Sequence, residues 1–126
     1  MWSLFLIPIL GGLYGLSSHT LGDGHSMKNK YMDVAEGITN TCHESYDRTE
    51  TKLGPESFRF TDTSEAKSLK SSEKYYILRP EVIESYFIMW RLTHNQKYRE
   101  WGWEAVQVST GVTHFHSSVL FLKNFI

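Results

Sequence analysis

Tyr31, Val34, Ile38 and Cys42 recur at the spacing of one helical face and predict a helix from about Asn29 to Asp47, with Gly37 a mild cost in its interior. Leu53-Gly54-Pro55-Glu56 turns the chain, because Gly-Pro cannot continue a helix. Phe58 and Phe60 then alternate with Ser57 and Arg59, the pattern of a short strand, and the polar run Thr61 to Lys74 reads as a flexible connection. Pro80 suits the start of the next helix, since its missing N–H would be unpaired there and its φ is already helical. Ile83, Phe87 and Trp90 form the apolar stripe of that helix. After the turn Thr93-His94-Asn95-Gln96, a further helix over Lys97 to Val106 turns Tyr98, Trp101 and Ala105 inward, and the short link predicts an antiparallel hairpin. Trp90, Trp101 and Trp103 read as the packing of that hairpin.

The two ends are less regular. Met1 to Leu16 is apolar and glycine-punctuated, too short to span a bilayer and interrupted at Pro8; it could mimic the apolar region of a signal peptide, a reading weakened because no Lys or Arg precedes it. Ser17 to Met27 reads as a loop, in which His19 and His25 have no metal-site spacing. From Val108 an apolar tail runs to Ile126, where His114 and His116 would share one face of a strand without a third ligand nearby.

Composition changes this picture little. The chain has 126 residues, enough for one small domain, and 13 basic against 14 acidic residues leave a net charge of -1. That balance argues against a nucleic-acid partner and gives no electrostatic case for a membrane surface. The single cysteine, Cys42, excludes an internal disulfide framework and any multi-cysteine zinc site, and leaves a buried, unreactive thiol as one reading.

Candidate chemistry concentrates where the proline-started helix opens. Glu81 and Glu84 lie three residues apart on its first turn, close to the positive end of the helix dipole, with Arg79 beside them. One reading is a pair of solvated first-turn acids with a surface cation. The other is a carboxylate pair in which mutual repulsion raises a pKa and Arg79 opposes the rise, leaving one acid ionised as a base.

The segment Leu78-Arg79-Pro80-Glu81-Val82-Ile83-Glu84-Ser85 resembles the signature of the class I α-mannosidases, glycoside hydrolase family 47. The likeness extends through Ile38-Thr39-Asn40-Thr41-Cys42-His43-Glu44-Ser45-Tyr46, Lys52-Leu53-Gly54-Pro55-Glu56-Ser57-Phe58-Arg59-Phe60, Met89-Trp90-Arg91-Leu92-Thr93-His94 and Tyr98-Arg99-Glu100-Trp101-Gly102-Trp103-Glu104-Ala105, in the family's order. It covers roughly residues 30–107, and Glu73-Lys74-Tyr75-Tyr76-Ile77 is similar to the Golgi mannosidase I branch.

The resemblance implies an all-α fold: a fragment of an (α/α)7 barrel made of antiparallel helix pairs, with a short strand or loop before the signature helix. It divides the chain into an apolar and loop segment over 1–28 that is either a diverged helix or foreign to the family, a partial catalytic domain over 29–107 and an unmatched apolar tail over 108–126. Gly11-Gly12-Leu13-Tyr14-Gly15-Leu16 loosely resembles a glycine-rich family stretch, in which register Leu4 stands at a catalytic-site aspartate and Pro8 at a cysteine. The family's match to Cys42 pairs with that cysteine, so the partner is absent here. The implied activity is calcium-dependent hydrolysis of terminal α-1,2-linked mannose from high-mannose N-glycans, with inversion, in the Golgi or endoplasmic reticulum.

By the same resemblance Glu81 matches the general base, and Arg79, Glu56 and Glu84 contact substrate. Glu84 and Glu81 reach calcium only through bound water, and its direct protein ligand belongs to an Asn-Thr-Glu-Ala-His motif missing from this sequence. The matched general acid is also missing, and membrane association in the family comes from regions outside this chain. The chain alone is therefore expected to be inactive, and the alternative reading is an inactive truncated isoform or glycan-interaction fragment.

Overall fold

The computed structural model describes residues 2–3, 7–62, 64–68, 70–74 and 80–112. Leu4, Arg79, His114 and His116, given roles by the sequence, lie outside the described residues. The chain is mainly helical, with helices α1 (Ile7–Thr20), α2 (Lys28–Asp47), α3 (Glu81–Thr93) and α4 (Gln96–Val112). A small antiparallel sheet, in the order β1 (Trp2–Ser3), β2 (Ser57–Thr61), β3 (Ser64–Lys67), lies beside them.

Helix α1 corrects two expectations. Pro8 does not interrupt the apolar run but lies in the first turn, where a helix needs no proline N–H. Ser17 to Thr20, read as loop, continues the helix, and buried Ser18 donates its hydroxyl to the Lys28 carbonyl at 2.8 Å. The helix is inverted relative to ordinary amphipathic patterning. Its buried residues are Pro8, Gly11, Gly12, Gly15 and Ser18, while Ile9, Leu10, Leu13 and Leu16 are exposed.

The glycine face lets α1 lie against two helices at once. A Cβ on Gly11 would stand 2.7 Å from Thr39 Oγ1, and one on Gly15 3.0 Å from Met89 Sδ and 3.9 Å from Ala35 Cβ. Gly11 therefore faces Thr39 and Gly15 faces Ala35, so α1 and α2 are antiparallel. Gly12 faces Ser85 while Gly15 faces Met89 and Leu92, so α1 and α3 are parallel.

That close approach explains why α2 is rotated from its expected face. Tyr31, Val34 and Ile38 are only half-buried, and the seam runs along Ala35, Thr39, Cys42, Ser45 and Tyr46. Small side chains are needed where the glycines sit. The boundaries of α2 fall within a residue of those expected.

β2 covers the expected strand, with Phe58 fully buried and Phe60 exposed beside it. The stretch from Thr61 to Lys74 is more ordered than a flexible connection. It contains β3, paired Arg59 with Lys67 and Thr61 with Ser64, then a 3₁₀ turn at Ser71–Glu73. Buried Glu73, in that turn, accepts from Arg59 of β2, which holds its carboxyl below the usual carboxylate range and offsets the desolvation of both groups. Ser-Glu-Ala-Lys carries no strand propensity of its own; β2 supplies the pairing.

α3 ends where His94 takes a left-handed conformation (φ 54°) and donates its N–H to Trp90 O at 2.8 Å. Asn95 Oδ1 then accepts from Lys97 N–H at 3.2 Å, opening α4. Trp90 meets Arg99, Tyr86 meets Trp101, and Ile83 clusters with Ala105 and Val106, a pairing that runs antiparallel. The hairpin is thus as expected, but the buried face of α3 is Val82, Ile83, Ser85, Tyr86 and Met89; Phe87 is exposed and Trp90 half-buried. Trp101 packs among His43, Tyr86 and Tyr98, whereas Trp103 is 46% exposed and takes no part in the core.

Candidate carboxylate site

Glu81 is the first residue of α3 and Glu84 lies one turn further on, so a single helical turn brings these acids together. The turn is set by Pro80, whose carbonyl accepts from Glu84 N–H at 2.9 Å. Glu84 is exposed, as a solvated first-turn acid would be. Glu81 differs: it is half-buried, and its Oε2 is shielded from solvent with no hydrogen-bond partner among the described residues. Buried carboxylate oxygens are normally satisfied, so an orphan at a helix start marks an atom held ready for something outside the packed chain.

Glu56 comes from a separate segment and also has one buried carboxylate oxygen. Its position follows from the turn before it. Gly54 lies flat on the Tyr46 ring, where a Cβ would fall 2.2 Å from Cε2, and Pro55 is fully buried. No other residue can make that approach, so the turn directs the chain into β2 with Glu56 at its head.

A buried residue that sequence reasoning left without a role ties this site to α1. Ser85, one turn beyond Glu81, accepts from Gly12 N–H at 3.1 Å and donates to the Pro8 carbonyl. Those two backbone groups are four residues apart, the pair that closes a helical turn, so the hydroxyl is inserted into the α1 ladder. It fixes the height of α3, and with it Glu81, against α1. A serine on an otherwise buried face was the only sequence signal.

On the other side of α3, His43, Tyr86 and Trp101 line a cavity of about 270 Å³ with Asp47, Lys52 and Glu104 at its rim. The His43 ring stacks on Trp101 at 3.8 Å, and its Nδ1 lies 3.3 Å from the Tyr86 hydroxyl. Burial holds the His43 pKa below its ordinary value, against the pull of Glu104, Asp47 and Glu44. Cys42 is buried and unbridged among the described residues, and desolvation pushes its thiol up to about 12.

As a metal site the described residues fall short. No three of their His, Cys, Asp or Glu side chains come together around a point where an ion could sit. Calcium takes six to eight oxygens, and one helical turn with two carboxylates does not supply them.

The sequence comparisons bear on this arrangement. The family model described as Glycosyl hydrolase family 47 matches residues 4–124, and the chain belongs to that family. Among curated relatives, it is 64% identical over 97 residues to the mannosyl-oligosaccharide alpha-1,2-mannosidase IA of Spodoptera frugiperda, covering 77% of this chain and 14% of that protein. It is 62% identical over 96 residues to the protein of that name from Drosophila melanogaster, covering 76% of this chain and 14% of the relative. The mannosyl-oligosaccharide 1,2-alpha-mannosidase IA of Sus scrofa is 53% identical over 97 residues, again 77% of this chain and 14% of the relative. The chain thus spans about one seventh of the length of these relatives.

Proposed function

We propose that this chain is the part of an inverting α-1,2-mannosidase that carries the general base, and that Glu81 is that base. The observation that carries the reading is the shielded, unpartnered Glu81 Oε2 at the start of a helix locked to α1 through Ser85. An inverting glycosidase needs a carboxylate to take a proton from water as the water oxygen attacks the anomeric carbon. A second carboxyl group, roughly 6.5–9.5 Å away, gives its proton to the departing glycosidic oxygen. Glu81 Oε2 has no hydrogen-bond partner among the described residues, which leaves its lone pairs for the proton that the first step moves. Glu84, exposed on the same turn, orients water, and Glu56 and Arg79 bind the sugar hydroxyls. The matched motifs of this chain include no residue for the acid. Calcium, where bound, would be reached from Glu81 and Glu84 through water and would order the mannose hydroxyls; no step of the proton transfer is assigned to it.

The substrate class that follows is the terminal α-1,2-mannose of N-glycans, and the compartment is the secretory pathway. The names of the relatives support a mannosyl-oligosaccharide with α-1,2 linkages, and the N-glycan and the compartment rest on the resemblance of the signature, with a barrel of helix pairs as the complete fold. In a complete mannosidase carrying this segment, Glu81→Gln keeps the shape of the side chain but cannot accept the proton. Turnover is expected to fall by ~10²–10⁴-fold with KM little changed. Proton NMR of the first-formed product should show β-mannose in the parent enzyme. Near-normal turnover in the variant, or α-mannose as first product, would remove Glu81 from this role.

A further inference from the structure

Where the C-terminal end of α2 meets the β2–β3 hairpin, a cavity of about 480 Å³ opens that shares no lining residue with the carboxylate site. Arg48, Glu50 and Thr51 form one wall, and Lys67, Ser68 and Lys74 the other. The charge is one-sided, with three cations and a single carboxylate among the described lining residues. Arg48 makes an exposed ion pair with Glu44 at 3.2 Å, an interaction worth little, which leaves guanidinium donors over. Neither Lys67 nor Lys74 has an ion-pair partner among the described residues. Cations gathered on facing walls repel one another, an arrangement that an anion between them relieves.

Ser68 supplies an independent pointer. It is 9% exposed, and its Oγ is buried with no hydrogen-bond partner among the described residues. A hydroxyl in that state has an unused donor in a place where donors are normally satisfied. Both walls also turn through left-handed residues that are not glycine: Lys52 (φ 57°), just after Thr51, and Ala66 (φ 47°), just before Lys67. Such conformations persist only where the surroundings hold them, here the Lys52–Asp47 ion pair and the full burial of Ala66.

We propose that this cavity binds a phosphate-type oxyanion, with Arg48, Lys67 and Lys74 as charge partners and Ser68 Oγ as a hydrogen-bond donor. A tetrahedral dianion presents oxygens to both walls at once, which a planar carboxylate cannot do. The cavity is larger than a bare oxyanion and falls in the range of small-molecule sites, so the group can be carried on an organic body as a phosphate monoester. Three cations are too few, on a chain of net charge -1, for a nucleic-acid track. The bound group bridges α2 to β3 and ties the hairpin to the helical core. This assignment does not depend on the mannosidase reading.

The test uses the 126-residue chain with inorganic phosphate and glucose 6-phosphate as probes, against chloride at matched ionic strength. About 20 mM phosphate should raise Tm by about 2 °C or more, since a ligand of the folded state stabilises it by mass action. Equilibrium dialysis, which needs no unfolding transition, should show at least tenfold weaker phosphate binding in Lys67→Gln/Lys74→Gln. Lys74→Arg should retain binding, and Ser68→Ala should weaken it. A response to the ester equal to that of the free ion assigns the site to monoesters, and a response to the free ion alone assigns it to phosphate itself. Absence of phosphate binding in a folded chain overturns the proposal, as does binding that survives unchanged in the double variant.

Discussion

Glu81 and Ser85 stand one turn apart on α3 and do opposite things with their polar atoms. Ser85 both donates and accepts inside the α1 backbone, while Glu81 keeps a buried oxygen without a hydrogen-bond partner among the described residues. The first bears on the role proposed for the second, because a base is effective only when its height along the helix is held. His43 gives a residue-scale prediction of a different kind. It packs against Trp101 of α4 and Tyr86 of α3, and the charges that act on it are Glu104 on α4, Glu44 and Asp47 on α2, and Lys52 in the following loop. Its folded pKa is lowered, with burial as the leading cause, so the unfolded chain takes up the proton first as pH falls. Stability should be fully present above the ordinary histidine pKa, near 6.5, and should decline below it until the folded-state pKa is passed. Asp47, lowered by Lys52, acts only at much lower pH, so the windows separate. Urea unfolding at pH 7.5 and pH 5.5 should show the loss, and His43→Phe, which keeps the stacking but cannot titrate, should flatten it. An unchanged slope in His43→Phe would assign the acid sensitivity elsewhere.

At the scale of elements, the segment that sequence patterning left open between a diverged helix and foreign sequence is a helix, and its small residues face inward. A window that scores apolar side chains places the inside of α1 at Leu10, Leu13 and Leu16, yet these are exposed and the glycines are buried. Close packing of three helices was unavailable to that reasoning, since it depends on Thr39, Ser85 and Met89 arriving from distant parts of the chain. Two glycine substitutions separate packing from propensity. Gly11→Ala places a methyl 2.7 Å from Thr39 Oγ1, whose hydroxyl is fixed by its bond to Ala35 O, and should destabilise by about 1–3 kcal/mol. Gly37→Ala has nothing within 4 Å in the exposed interior of α2 and should stabilise by roughly 0.5–1 kcal/mol. Denaturant midpoints moving in opposite directions would bear this out, and a neutral Gly11→Ala would mean that α1 does not approach as closely as described.

At the scale of the molecule, α1 carries an apolar face without a neighbour among the described residues, in a chain that spans 14% of its relatives' length. Ile9, Leu10, Leu13 and Leu16 expose about two fifths or more of their surface each, on the side of α1 away from α2 and α3. No described helix is long and apolar enough to cross a membrane. The proposed reading has the same partial character: it gives the chain a base without a matched acid, and among the described residues no three His, Cys, Asp or Glu side chains gather where an ion could sit. The 126-residue chain is therefore expected to release no mannose from an α-1,2-linked mannobiose, with or without calcium. Chelator-sensitive release that disappears in Glu81→Gln would mean that the acid and metal donors are supplied by residues of this chain not assigned here, and the reading of an incomplete site would fail.

Linear spacing alone determined the elements whose signals are local: the span of α2, the proline start of α3, the turn into α4, the strand around Phe58, and the pairing of Glu81 with Glu84 on one turn. Each depends on residues within about a turn of one another, where sterics and hydrogen bonding act without the rest of the chain. The signature around Glu81 also carried the family. Tertiary structure decided which faces are buried, because burial depends on what arrives opposite. The glycine seam rotated α2 toward Ala35 and Thr39, β2 drew Ser64–Lys67 into a strand, and Ser85 acquired its partners 73 and 77 residues away. The shielded oxygen of Glu81 and the cation-lined cavity beside Ser68 belong to that second kind, since the desolvation that defines them comes from neighbours no spacing rule names.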